Sequence, residues 1–101
     1  MEHNKLVRDN IPEIIEQSGR KPVIRVLEDG EYLQQLHKKL QEEIQEFFES
    51  GETEELCDIA EVIEAIAAAK GVSKKEFQAM KEEKAKRNGR FERRIFLVRT
   101  Q

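Results

Sequence analysis

Leu33-Gln34-Gln35-Leu36-His37-Lys38-Lys39-Leu40-Gln41-Glu42-Glu43-Ile44-Gln45-Glu46-Phe47-Phe48-Glu49-Ser50-Gly51-Glu52-Thr53-Glu54-Glu55-Leu56-Cys57-Asp58-Ile59-Ala60 decides the fold. Before the glycine, Leu33, Leu36, Leu40, Ile44 and Phe47 recur at helical spacing. After it, Leu56, Ile59, Ala60, Ile63, Ile66 and Ala67 do the same. Two apolar stripes interrupted by a single Ser50-Gly51 break predict two helices that turn back on each other, and so an all-α fold built on a helical hairpin.

Two acidic clusters flank the break symmetrically. Glu46 stands five residues before Gly51 and Glu55 four after it, while Glu43 stands eight before and Asp58 seven after. An antiparallel hairpin therefore levels Glu46 with Glu55 and Glu43 with Asp58. At about 100° per residue, the two acids of each helix fall to the same rotational side of its stripe. All four are expected to converge beside the facing stripes. Without evident cationic partners, four such carboxylates repel and destabilise the fold unless a divalent ion sits among them. A hard, all-oxygen donor set suits Mg²⁺, with Mn²⁺ as a substitute, and leaves positions for water or substrate phosphates. A Glu pair three apart is ordinarily only a solvated helix face, and 21 of the 101 residues are acidic. Two pairs matched in both level and side are what favour a metal centre.

The remaining composition sets the frame. A chain of 101 residues is read as one domain, residues 1–101, able to bury only about 60–65% of its unfolded surface, so a hairpin of this size calls for a partner chain. Charged residues make up 39% but the net charge is only −3, which is not the profile of a nucleic-acid binder. Basic residues nevertheless crowd the stretch from Lys74 to Arg99, against the acidic stretch from Glu42 to Glu64. That asymmetry suits an anionic ligand held by cations on one side and by a carboxylate-bound metal on the other. A single cysteine, Cys57, excludes an intrachain disulfide and favours a reducing compartment. No apolar run reaches membrane-spanning length and the charged N-terminus lacks a signal peptide's apolar core, so the expected location is cytoplasmic.

Outside the hairpin, Asp9 or Asn10 opens a short helix with Pro12 in its first turn, ending near Ser18-Gly19. Asp29 or Gly30 opens the first long helix, Thr53 caps the second, and Ser73 with Glu76 forms a capping box for a fourth that ends near Asn88-Gly89. The β-branched residues 22–27 read as a short strand or an extended linker, and the run 91–98 is strand-like and able to pair with them. His37 and Cys57 are assigned to the semi-buried apolar side of their helices, and Phe47, Phe48 and Phe77 to core positions.

The opening Asn4-Lys5-Leu6-Val7-Arg8-Asp9-Asn10-Ile11-Pro12-Glu13-Ile14-Ile15, the Glu-Glu-x-x-Glu followed by Glu-x-x-Asp, and Lys84 ahead of Asn88-Gly89-Arg90-Phe91 resemble the all-α nucleoside triphosphate pyrophosphatase superfamily. This is the MazG-like group, related to phosphoribosyl-ATP pyrophosphohydrolase, and the likeness is to its short, single-domain, house-cleaning members. The resemblance implies Mg²⁺-dependent hydrolysis of a nucleoside triphosphate between the α and β phosphates, giving a monophosphate and pyrophosphate. It also implies that Glu43, Glu46, Glu55 and Asp58 are the catalytic metal ligands, the same four the hairpin selects. Only eight residues separate Glu46 from Glu55, fewer than in most of that family, so any contact carried by a longer loop is absent.

Lys84, Arg87 and Arg90, clustered around the end of the fourth helix, and Arg8 in the opening segment are the candidates for phosphate contact. Each has a plainer reading as a solvated charge, and Arg8 as a local ion pair with Asp9. Because the four acids lie beside the stripes, one hairpin leaves them open on one side. Two hairpins packed as a four-helix bundle close the site, so a homodimer or higher homo-oligomer is expected, with no membrane and no stable nucleic-acid partner. The alternative is a non-catalytic helical interaction module whose acidic groove binds a basic protein or whose basic tail binds nucleic acid.

Overall fold

The first long helix stops at one residue. Gly51 adopts the left-handed conformation (φ 68°) and returns its backbone N–H to Phe47 O at 2.8 Å, closing the last turn. That conformation crowds a Cβ against the following carbonyl, so glycine is the residue that fits it without strain. Only Gly51 and Glu52 then separate helix α2 (Asp29–Ser50) from helix α3 (Thr53–Ala69), and the tight link folds α3 back along α2. The computed structural model describes residues 2–101 and is all-helical, with α1 (Ile11–Gln17) before the hairpin and α4 (Lys74–Asn88) after it.

Packing is concentrated in one seam. α2 lies on α3, α4 rests on α3, and α1 packs on none of the other helices. α4 begins with the expected capping box: Glu76 N–H donates to Ser73 Oγ at 3.1 Å, and Ser73 N–H donates to Glu76 Oε1 at 3.3 Å. Leu36, Val62 and Ala67 are the buried apolar residues of the described chain, and no side chain there is fully enclosed. The Cα radius of gyration is 17.8 Å, against about 13 Å for a closed globule of this length. One chain is therefore an open arrangement with apolar surface left over. No helix among the described residues is long and apolar enough to cross a membrane.

The structure corrects two expectations here. Residues 22–27 and 91–98 are not strands, which leaves the linker reading for the first: Val23 is 93% exposed, and Phe91, Ile95, Phe96, Leu97 and Val98 all stand in solvent. A strand needs a neighbour to take its N–H and C=O groups, and the second run is broken by a turn in which Arg94, at φ 57°, donates its N–H to Phe91 O at 3.2 Å. The guanidinium of Arg25, in the first run, is instead tied to the α2 residue Glu31, with Nη1 2.9 Å from Oε1. The second correction concerns the face of α3. Ile59, Ile66 and Ala67 of the expected stripe are seated, but the seated face also takes in Glu55, Asp58 and Val62 on one side of it. Leu56 (45% exposed) and Ala60 are left facing outward, and Ile63 lines a groove beside α4. Cys57 is exposed rather than buried, and so is His37.

Two glycines provide a matched test of this turn. Nothing lies within 4 Å of a Cβ added at either Gly51 or Gly30, but only Gly51 has positive φ. Gly51→Ala is expected to cost about 1–2 kcal/mol through backbone strain alone, which lowers the melting temperature by several degrees. Gly30→Ala, in the first turn of α2, is expected to stabilise by about 0.4–1 kcal/mol. Equal effects of the two substitutions in thermal melts would show that the left-handed turn does not set the hairpin.

Candidate metal centre

The buried line on α2 is Leu36, Leu40, Glu43, Phe47, residues spaced four, three and four apart, so Glu43 occupies a position in the packing seam itself. On α3 the seam begins with Glu55 and Asp58. The carboxylates therefore lie between the helices at the turn end of the hairpin, where they were expected beside the stripes. One oxygen each from Glu43, Glu55 and Asp58 falls within 4.8 Å of the others. Glu43 is buried, its side chain 9% exposed, while Glu55 and Asp58 are half-buried. Glu46, the fourth expected ligand, is exposed and stands outside this three-oxygen group.

Two cations touch the group. Lys39, one turn before Glu43 on α2 and 21% exposed, places Nζ 3.3 Å from Glu43 Oε1. The sequence reading found no cationic partner among the acids, and Lys39 is the residue it missed. The signal was present in the four-residue spacing of Lys39 and Glu43, which puts them on adjoining turns of one face. Arg8 reaches across from the N-terminal segment, with Nη2 2.7 Å from Asp58 Oδ1. The structure thus pairs Arg8 with Asp58 and not with its neighbour Asp9.

Glu43 Oε2 has no hydrogen-bond donor although it is buried. A buried carboxylate oxygen without a partner carries a desolvation cost of about 1–3 kcal/mol or more. A hard divalent cation removes that cost, and the donor set is all oxygen, as Mg²⁺ and Mn²⁺ favour. On this test the residues present fit such an ion. Electrostatics within the group point the same way. Repulsion from Glu43, followed by loss of hydration, raises the pKa of Glu46, with Lys39 partly offsetting the effect. Loss of hydration raises that of Glu55, followed by the charges of Glu46, Asp58 and Glu43.

The other basic candidates are not joined to the acids. Among the described residues no ion pair or hydrogen bond links Lys84, Arg87 or Arg90 to the group, and Arg90 Nη2 instead lies 2.9 Å from Glu82 Oε2 on α4. A separate apolar groove of about 290 Å³ runs between α2, α3 and α4, with Leu40, Ile66, Phe77 and Met80 among its walls. Phe77 is thus a packing residue, as its helical spacing predicted. Phe48, by contrast, is 73% exposed, its ring 6.1 Å from that of Phe47.

No protein-family model matches the chain. No solved structure matches it. A 42-residue segment is 60% identical to a protein of Mycolicibacterium smegmatis described only as uncharacterized. The match covers 42% of this chain and 43% of that protein, less than half of either.

The raised pKa values carry a signed consequence. Folded Glu46 and Glu55 keep their protons to higher pH than in the unfolded chain, so the folded state binds more protons between the ordinary glutamate value of 4.5 and the raised values. Stability then falls as pH rises through that window and is regained as pH drops back toward 4.5. In the presence of a chelator, the melting temperature is expected to rise on acidification from neutral pH toward the ordinary glutamate value of 4.5. Glu46→Gln/Glu55→Gln is expected to lose that rise, and saturating Mg²⁺ to flatten it in the wild type. A wild-type melting temperature that is flat or falls on acidification would contradict the repulsion.

Proposed function

We propose that the chain is a Mg²⁺-dependent nucleoside triphosphate pyrophosphohydrolase that cleaves between the α and β phosphates. The observation that carries this reading is the buried, donorless Oε2 of Glu43 in a group of three carboxylates at the turn of a helical hairpin. The likeness of the opening segment, the acidic motifs and the Asn88-Gly89-Arg90-Phe91 tail to MazG-like pyrophosphatases supports the same chemistry.

Glu43, Glu55 and Asp58 would hold the cation. Bound there, Mg²⁺ supplies neutralisation of phosphate oxygens and acidification of water. Lys39 keeps one oxygen of Glu43 engaged and leaves the other without a partner. Glu46, outside the three-oxygen group and open to solvent, is assigned the proton of a water attacking the phosphorus. As the new P–O bond forms, the bond to the bridging oxygen breaks and pyrophosphate leaves with the bonding pair. Its developing charge needs cations that are positioned before the step. Arg8, Lys84, Arg87 and Arg90 are assigned that role, and Arg90 must first release Glu82. The exposed Cys57 thiol suits a reducing compartment, and we place the protein in the cytoplasm.

We also propose a homodimer or higher homo-oligomer. The outward face of α3 (Leu56, Ala60), together with Phe48 and the exposed side of Met80, is an apolar surface that one open chain does not cover. Seating that face on a second hairpin gives the four-helix bundle and buries the apolar surface. Sedimentation is expected to give at least twice the mass of 11.8 kDa at micromolar concentration. A fully active monomer would overturn this.

The activity is tested by incubating the protein with a panel of ordinary and damaged nucleoside triphosphates and Mg²⁺ and assaying pyrophosphate. At least one nucleotide is expected to yield pyrophosphate and monophosphate in equal amounts, with no release in chelator. Asp58→Asn and Glu43→Gln are expected to fold and to lose at least about a hundred-fold in turnover, about 2.7 kcal/mol of barrier. Release of inorganic phosphate alone, or wild-type turnover by Asp58→Asn at saturating Mg²⁺, would contradict the assignment.

A further inference from the structure

We propose that the N-terminal segment up to Asn10 is a cation-released strap: Arg8 closes it on the acidic group, and a divalent cation held by Glu43, Glu55 and Asp58 displaces the guanidinium and frees the segment. This rests on the metal-centre reading above and adds how that centre is regulated.

The two cations at the acids differ in how they are held. Lys39 sits on the same helix as its partner Glu43, one turn away and largely buried, so the helix keeps it beside Glu43 whatever the N-terminal segment does. Arg8 comes from fifty residues away along the chain, is 55% exposed, and belongs to a stretch with no helix or strand. Among the described residues, its bond to Asp58 is the one side-chain hydrogen bond joining residues 2–20 to the hairpin. α1, which follows it, packs on no other helix, and Leu6, Ile11 and Ile15 are only half-buried. One exposed ion pair therefore supplies the polar tether of the whole segment.

That tether ends on an atom group a divalent cation would use. Asp58 shares the 4.8 Å group with the carboxylate of Glu43, so a cation drawn to buried Glu43 arrives beside the carboxylate that holds Arg8. A doubly charged ion in direct contact outcompetes a singly charged, water-exposed guanidinium, whose pairing is weak and screened by salt. It also repels that guanidinium. Release turns Arg8 from a partner of Asp58 into an unpaired cation at the mouth of the site, available to an anionic ligand only when the metal is in place. The segment thus couples cation occupancy to anion capture.

The experiment uses the full chain as wild type, Arg8→Gln, and Lys5→Gln, which removes the same charge three residues away from a side chain that forms no ion pair among the described residues. Mn²⁺ affinity is read by electron paramagnetic resonance, and the order of residues 4–10 by ¹⁵N relaxation with and without saturating Mg²⁺. Arg8→Gln is expected to bind Mn²⁺ about two- to five-fold more tightly than wild type, as the loss of a competing exposed ion pair implies, and Lys5→Gln to bind as wild type. Wild-type order parameters in the segment are expected to fall from about 0.8 to below about 0.6 on Mg²⁺ saturation, while those of Arg8→Gln are low in both conditions. Equal affinity of wild type and Arg8→Gln, or a segment that keeps or gains order with Mg²⁺, overturns the strap and leaves the metal centre standing. Failure of Mn²⁺ to bind any of the three chains overturns both.

Discussion

The structure turns on one carboxylate in the wrong solvent. Glu43 occupies the position in the α2–α3 seam where an apolar residue would ordinarily sit, between Leu40 and Phe47 on the buried line of α2. Its neighbours across the seam are Glu55 and Asp58, of the same sign. A buried anion facing two others is held only if its charge is compensated, because desolvation and repulsion act in the same direction. Lys39 compensates one oxygen and nothing donates to the other. The turn at Gly51 makes this arrangement compulsory, since two residues of linker leave the acidic ends of the helices no room to separate.

The rest of the chain arranges itself around that strained end. Arg8 brings a second positive charge from the N-terminal segment to Asp58, and the apolar packing of Val62, Ile66 and Ala67 with Leu36 and the start of α4 lies farther down the hairpin. The seam thus divides into an apolar end that holds the helices together and an ionic end whose geometry they enforce. Stability and chemistry come from different turns of the same two helices. An open chain with an outward apolar face on α3 leaves the same hairpin free to pack a second time.

The four helices were legible in the residues, because the Gly51 break, the Ser73/Glu76 capping box and the Pro12 entry each act within a few residues of chain. Convergence of Glu43, Glu55 and Asp58 was legible too, since it needs only the turn and the helical repeat. The phase of α3 was not. The apolar residues of α3 spread over a broad arc from Leu56 and Ala60 through Ile63 and Ala67 to Ile59, Val62 and Ile66, and periodicity cannot say which part of the arc meets α2. The part that does brings Glu55 and Asp58 between the helices, where the centre of the arc would leave them to one side. Lys39 escaped notice because attention to the acids hid the cation one turn away. Residues 22–27 and 91–98 have strand composition, but strand formation depends on a distant partner, and a local pattern carries no information about whether one is in reach.

Anomalous diffraction from a crystal grown with Mn²⁺ reads directly whether Glu43, Glu55 and Asp58 together hold a cation. A single strong peak is expected, bonded at about 2.1–2.2 Å to oxygens of all three residues, including Glu43 Oε2. A Mn²⁺ peak elsewhere, or none, with Glu43 Oε2 satisfied by a protein donor or a water, would contradict it.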